Sequence, residues 1–312
     1  VRALVTGAGG FVGTWLSAHL RSAGDDVVEI DREIDVADGP ALRQAVADAS
    51  PDAIYHLAAL THVGRSWDEP AEVLRVNVLG TAEVLAAARS LPRAPVVLVV
   101  SSAEVYGAVD PARLPIGEST ELAPLTPYAA SKAAAEHVAL QAWRGFGQPV
   151  VVARPFNHVG PGQAPAFAVS ALARRIVEAR RAGATSLSVG SLDTSRDFTD
   201  VRDVVRAYRL LVTRGRPGSV YNVCSGRAVA IADVVQRLLE LSGTRLELVT
   251  DPSLLRPAEI PVLEGDNSAL RATTGWSPAI SLDETLRDVL SWWQERLGVG
   301  PPSTAEEPLA AD

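Results

Sequence analysis

Residues 4–13 read LVTGAGGFVG. A short apolar run ends in Gly7, and Gly10 and Gly13 follow at the spacing G-x-x-G-x-x-G, after which apolar residues recur at helical spacing as far as Gly24. The stretch predicts a strand that turns sharply into a helix, with glycine where the turn is tight and where helix and strand pack closely. Bare backbone beside the positive end of a helix also suits a pyrophosphate. A plain strand-to-helix turn with one close packing contact would use the same glycines without any ligand.

Working outward, the strand–helix rhythm repeats. DVVEID (26–31) reads as a second strand, GPALRQAVADAS (39–50) as a helix, DAIYHLAA (52–59) as a strand and PAEVLRVNVLGTAEVLAAARS (70–90) as a helix. APVVLVVSS (94–102) is apolar almost throughout, as strands of a parallel sheet buried on both faces are. YAASKAAAEHVALQAW (128–143) and PVVVARP (149–155) supply one more helix and strand. The expectation is an α/β fold, a doubly wound parallel sheet spanning residues 1–155. From residue 156 the texture changes, with the turn-rich FNHVGPGQAPAF (156–167) and later helices separated by Pro- and Gly-containing loops. This predicts a second, smaller α/β domain over 156–298, partly interleaved with the first, and a disordered tail over 299–312.

Composition narrows the function classes. The formal net charge of -8 provides no basic field for a phosphate backbone, so nucleic acid is not an expected partner. No apolar run approaches the roughly 20 residues that a membrane span needs, and a cytoplasmic, membrane-free protein is expected. Cys224 is the sole cysteine, which excludes an intrachain disulfide. The five histidines show no ligand spacing, and no metal is expected.

The second strand ends at Asp31, about where a carboxylate accepts hydrogen bonds from an adenosine ribose in a dinucleotide site. Asp31 would repel a 2′-phosphate, which favours NAD(H), while the neighbouring Arg32 leaves NADP(H) open. Asp35 either caps an adenine amine or serves a turn before the next helix. Of the 29 basic residues 28 are arginine, and the single lysine is Lys132, four residues after Tyr128. On a helix the two share a face, so an ammonium near the phenol is expected to lower its pKa from about 10 towards neutrality.

TGAGGFVG (6–13), YHLAA (55–59), SSAEVYG (101–107), PYAASK (127–132) and RPFNHVGPGQ (154–163) occur in the order found in extended short-chain dehydrogenases/reductases that act on nucleotide sugars, and the chain resembles that family from residue 1 to about 297. The resemblance implies a Rossmann-type fold and a triad of Ser102, Tyr128 and Lys132: Ser102 hydrogen-bonds the sugar oxygen, Tyr128 moves its proton, and Lys132 holds the nicotinamide ribose. It adds Phe11, Val12, Val36, Leu57, Ala58 and Ala59 to the dinucleotide site of Gly7, Gly10, Gly13, Asp31 and Asp35. On the substrate side it implies Asn157, Arg196, Arg256 and Glu259, with Ser66 as a further candidate. It also implies a homodimer formed through the helices around 71–90 and 128–144.

Glu104, two residues after Ser102, stands where 4,6-dehydratases of the family keep the acid that drives elimination, whereas Ala103 lacks the polar group often beside it. The second half, including VGSLDTSRDFTDVRDVVRAY (189–208) and RPAEIPVLEGDNSALRATTGWSP (256–278), most resembles the family's reductases of GDP-4-keto-6-deoxymannose. IDREIDVADG (30–39) lacks the arginine- and serine-rich NADP loop common in the related dehydratases. The expected reaction is therefore reduction of a GDP-linked 4-keto-6-deoxy sugar to a GDP-6-deoxyhexose such as GDP-D-rhamnose. A 4,6-dehydratase, a 4-epimerase and a dinucleotide-binding redox sensor are the alternatives.

Overall fold

The structure, a computed structural model, describes residues 1–254 and 260–300. The first half alternates as expected: β1 (Arg2–Thr6), α1 (Phe11–Ser22), β2 (Asp26–Ile30), α2 (Gly39–Ala49), β3 (Ala53–His56), α3 (Pro70–Leu74), α4 (Gly80–Arg89), β4 (Val96–Val100), α5 (Pro127–Phe146) and β5 (Val150–Pro155). The second half carries β6 (Asn157–Val159), α6 (Ala168–Ala182), β7 (Ser186–Val189), β8 (Ser195–Asp200), α7 (Val201–Arg214), β9 (Val220–Val223), β10 (Ala228–Ala230), α8 (Ile231–Ser242), β11 (Glu247–Thr250), β12 (Val262–Leu263), α9 (Ser268–Thr274) and α10 (Leu282–Leu297).

The main sheet has six parallel strands in the order β2-β1-β3-β4-β5-β9. Its strands are apolar at nearly every position because alternate residues feed two different cores. Ala3, Val5, Tyr55, Leu98, Val151 and Ala153 pack with Leu16 and Leu20 of α1 and with α7, while Leu4, Ile54, Val97, Val99, Val150 and Val152 pack with α2, α4 and α5 on the other face. Helices α6, α8 and α10 bury a third core with β7 and β8.

Three features of the fold are not marked by the local sequence. The segment 156–167, turn-rich in sequence, contributes β6, which pairs with β8. The predicted single helix over 70–90 is broken at residues 75–79 by a π-helical turn, which widens the backbone between α3 and α4. Finally β9, far along the chain, lies against β5 in the first sheet, with Val152 opposite Val220 and Pro155 opposite Val223. Of the tail expected over 299–312, residues 301–312 lie outside the described residues, as do Arg256 and Glu259.

Candidate active site

The glycine turn is shaped by its lack of side chains. Gly7 has φ +71°, and a Cβ there would stand 2.8 Å from the amide nitrogen of Ala58 at the end of β3. A Cβ on Gly13 would run into the Gly7 carbonyl and lie 2.7 Å from Ala8 Cα. Any larger residue would push α1 off the strand. Gly10 is the N-cap of the 12-residue α1, whose own first turn holds no acidic side chain, so its amide donors and positive dipole end face the turn. A Cβ on Gly9 would collide with the Asp31 carboxylate, which places that carboxylate directly over bare backbone. This cradle fits the pyrophosphate and ribose of a dinucleotide.

The end of β4 and the start of α5 carry the candidate triad. Thr126 caps α5 by accepting the Ala129 amide at 3.1 Å, and Pro127 occupies the first turn, where its missing N–H costs nothing. Tyr128 and Lys132 therefore begin the helix on one buried face, with 8% and 6% of their surfaces exposed. Ser102, also 8% exposed, accepts the Glu104 amide at 3.2 Å and shares a side-chain hydrogen bond with Tyr128. Lys132 Nζ donates to the Val100 carbonyl at 2.8 Å.

The electrostatics correct one expectation. Burial pushes the Tyr128 phenol up to about 12; the Ser102 hydrogen bond opposes this and the nearby Glu104 carboxylate adds to it. Lys132 was expected to draw the phenol down towards neutrality. Its ammonium instead engages a backbone carbonyl, and burial brings Lys132 itself down to about 8. Tyr128 is thus a firmly protonated donor at neutral pH.

A buried hydrogen-bond chain fixes α5 against the sheet. Thr81 Oγ1 donates to the Asn77 carbonyl at 2.7 Å and therefore accepts from His56 Nε2 at 3.1 Å, which leaves His56 Nδ1 to accept from Thr6 Oγ1 at 2.8 Å. Burial, and secondarily Lys132, lowers His56 to about 3, so the imidazole is neutral. Asn77, inside the π-helical turn, donates to Ser131 Oγ at 2.8 Å, and Ser131 donates to the Tyr128 carbonyl at 2.7 Å. Asn77 Oδ1 also accepts the Leu60 amide at 2.8 Å.

One cleft of about 1340 Å³ joins these parts. Gly7, Gly10, Phe11, Val12, Gly13, Asp31, Asp35, Val36, Leu57, Ala58 and Ala59 line one end; Ser102, Glu104, Tyr128 and Lys132 the middle; Asn157 and Arg196 the other end. Asp35 faces the cleft while its carboxylate accepts the Ala37 amide at 2.9 Å and Arg75 at 2.8 Å, so it serves the turn first. Ser66 does not line the cleft. It is 1% exposed and donates to the Val63 carbonyl at 2.6 Å, a turn role that removes it from the substrate candidates.

The cleft also takes in residues not singled out from the sequence. His158 stacks on Phe11 at 6.2 Å with planes 10° apart, and its carbonyl accepts Gln163 Nε2 at 2.9 Å. Arg175, from α6, reaches the Ser188 carbonyl at 3.2 Å on the cleft wall. Tyr208 enters from α7, and burial together with the Tyr128 phenol raises its pKa. In the sequence Tyr208 shows only the helical spacing of a core residue. A protonated phenol bonded to a serine, with an ammonium one helical turn away and a dinucleotide cradle in the same cleft, can donate a proton to an oxygen on a reduced carbon.

Residues 32–289 match the family model described as GDP-mannose 4,6 dehydratase. GDP-6-deoxy-D-mannose reductase of Pseudomonas aeruginosa is 40% identical over 299 residues, 95% of this chain and 98% of that protein. dTDP-glucose 4,6-dehydratase 1 of Escherichia coli K12 is 28% identical, covering 94% of this chain and 92% of the relative. Among solved structures, RMD from Pseudomonas aeruginosa complexed with NADPH superposes with a TM-score of 0.87 at 38% identity, covering 95% of this chain and all of that one. The Thermus thermophilus UDP-glucose 4-epimerase complex with NAD gives a TM-score of 0.85 at 26% identity, over 94% and 99% of the two chains.

Proposed function

Since the chain belongs to the GDP-mannose 4,6-dehydratase family, we propose that it reduces the C4 keto group of a GDP-4-keto-6-deoxyhexose, giving a GDP-6-deoxyhexose such as GDP-D-rhamnose. The observation that carries this reading is the 40% identity to GDP-6-deoxy-D-mannose reductase over nearly the whole of both chains, where the Escherichia coli dTDP-glucose 4,6-dehydratase reaches 28%. Ketone reduction consumes a proton, and burial favours the protonated form of Tyr128, the donor that this step needs.

A nicotinamide dinucleotide held at the glycine turn and Asp31 would supply the hydride for C4. Ser102 Oγ turns its hydrogen to the C4 oxygen and orients it. Tyr128 delivers its phenolic proton to that oxygen as negative charge develops, and Glu104 disfavours the phenolate left behind, so a solvent proton restores the phenol. Lys132, one helical turn beyond Tyr128, holds a positive charge on the same buried face. Asn157, Arg175 and Arg196 line the substrate end, where guanidinium forks suit a diphosphate.

The test is an absorbance assay with NADH and enzymatically prepared GDP-4-keto-6-deoxymannose, beside a GDP-mannose plus NAD control analysed by mass. Stoichiometric NADH loss with a two-hydrogen mass gain in the sugar is expected. Untouched NADH together with loss of one water from GDP-mannose would replace the reductase by a dehydratase working through Glu104.

For the cofactor we favour NADH, because the Asp31 carboxylate over Gly9 would repel a 2′-phosphate; the NADPH complex of the Pseudomonas relative makes this a point to measure. NADH is expected to bind about tenfold more tightly than NADPH by fluorescence titration, and Asp31→Ser should bring the two within about twofold. Equal affinities in the wild-type protein would refute the preference.

A homodimer is supported by the outward face of residues 70–79, where Leu74 is 46% and Leu79 57% exposed. Light scattering should read twice the 32.8 kDa chain mass, and Leu79→Glu should shift it towards the monomer; a monomeric wild-type protein would remove the proposal. A cytoplasmic setting fits a chain with one buried cysteine and no disulfide, and among the described residues no helix is long and apolar enough to cross a membrane.

A further inference from the structure

Arg154 does not line the cleft, yet its guanidinium joins two segments that do. It is the penultimate residue of β5 and 4% exposed. Its Nε donates to Glu136 Oε2 at 3.0 Å and its NH2 to Glu136 Oε1, a bidentate pair with the carboxylate one helical turn beyond Lys132 on α5. Its NH1 donates to Tyr106 Oη at 2.7 Å and to the Glu118 carbonyl at 3.0 Å. Tyr106 Oη donates onward to Asn222 Oδ1 of β9 at 2.7 Å, and Asn222 Nδ2 donates to the Ile116 carbonyl at 2.8 Å. Glu136 and Tyr106 are each 1% exposed and Asn222 is fully buried.

The guanidinium thus bridges the two elements that must meet for the chemistry. Tyr106 ends the 3₁₀ turn that starts beside Ser102, and Glu136 lies two helical turns beyond Tyr128. The planar fork fixes direction as well as distance on both sides. A buried ion pair adds little net stability over a well-packed apolar replacement, because desolvation offsets its attraction. Its rigid geometry is the property that an apolar side chain would not reproduce.

We propose that Arg154, through Glu136 and Tyr106, is a positioning residue that sets the separation of Ser102 and Tyr128; as a statement about turnover this rests on the reductase reading above. Tyr106→Phe removes only the hydroxyl that Arg154 and Asn222 share. Its kcat is expected to fall about tenfold, with KM and the dinucleotide Kd each within about twofold of wild type, since misplacing reacting groups acts on the chemical step. Arg154→Lys, which keeps the charge and loses the fork, should give the same split.

Hydrogen–deuterium exchange on both proteins, read on peptides covering residues 101–107 and 127–134, supplies a measurement that needs no substrate. Faster uptake in both segments of Tyr106→Phe is expected, since the clamp is loosened on each side. Unchanged uptake overturns the proposal, as does faster uptake with kcat unaltered, which would make the network a packing feature only. Should wild-type protein fail to turn over the 4-keto sugar, the reductase reading falls, and unchanged exchange would still overturn the clamp.

Discussion

Replacing Tyr128 with phenylalanine is expected to lower kcat roughly a thousandfold, within the 10²–10⁴ range of a positioned general acid, while leaving the dinucleotide Kd within about twofold. The residue is 8% exposed and in hydrogen-bond contact with Ser102, so the ring keeps its packing and only the hydroxyl is lost. Ser102 retains the Glu104 amide, and the stability loss should be about 1 kcal/mol, the ordinary worth of one hydrogen bond. Steady-state kinetics beside a thermal melt separates these effects. A variant keeping more than a tenth of wild-type kcat would mean that another group, Tyr208 first, delivers the proton.

Lys132→Arg is expected to cost at least about a hundredfold in kcat/KM and to lower the melting temperature by several degrees, because a wide guanidinium must enter a space shaped for one ammonium pointing at the Val100 carbonyl. The pH dependence gives a sharper signature. Burial lowers Lys132 from its ordinary value to about 8, so the charged form dominates below that pH and is lost above it. The wild-type dinucleotide affinity and kcat/KM should therefore be flat at neutral pH and fall as the pH rises through about 8. Tyr128, near 12, does not titrate in this window and adds no limb. A guanidinium stays charged throughout, so the arginine variant should show the low plateau without the fall. A wild-type profile flat to pH 9.5 would contradict the role given to the ammonium.

The parts of the site that were legible in the sequence are those set by short-range spacing. Gly7, Gly10 and Gly13 announce a turn whose steric reason is visible within a few residues, and Tyr128 and Lys132 share a helical face whatever surrounds them. The inner strands were legible because burial on both faces leaves an unbroken apolar run. What long-range packing determines was not. Nothing local marks Asn157–Val159 as a strand, since only pairing with β8 makes it one. His158, Gln163, Arg175 and Tyr208 reach the cleft from elements whose orientation the chain does not state. The expected depression of the Tyr128 pKa failed for the same reason: spacing brings a lysine near a phenol, but the depth of burial and a competing carbonyl decide its effect. Glu136 looked like any helical glutamate until Arg154 came to face it.

The place of β9 bears on how the chain is made. Residues 1–155 include the glycine turn and the triad but not the strand that closes the outer edge of β5, which is synthesised some 65 residues later. At about 5–20 residues per second, the nascent chain carries an open, largely apolar edge for roughly 3–13 s, a template for wrong pairing with a neighbouring chain. The sheet of the dinucleotide-binding half therefore draws its last strand from the second half. That sheet is complete only once the polypeptide has travelled out through the second half and come back.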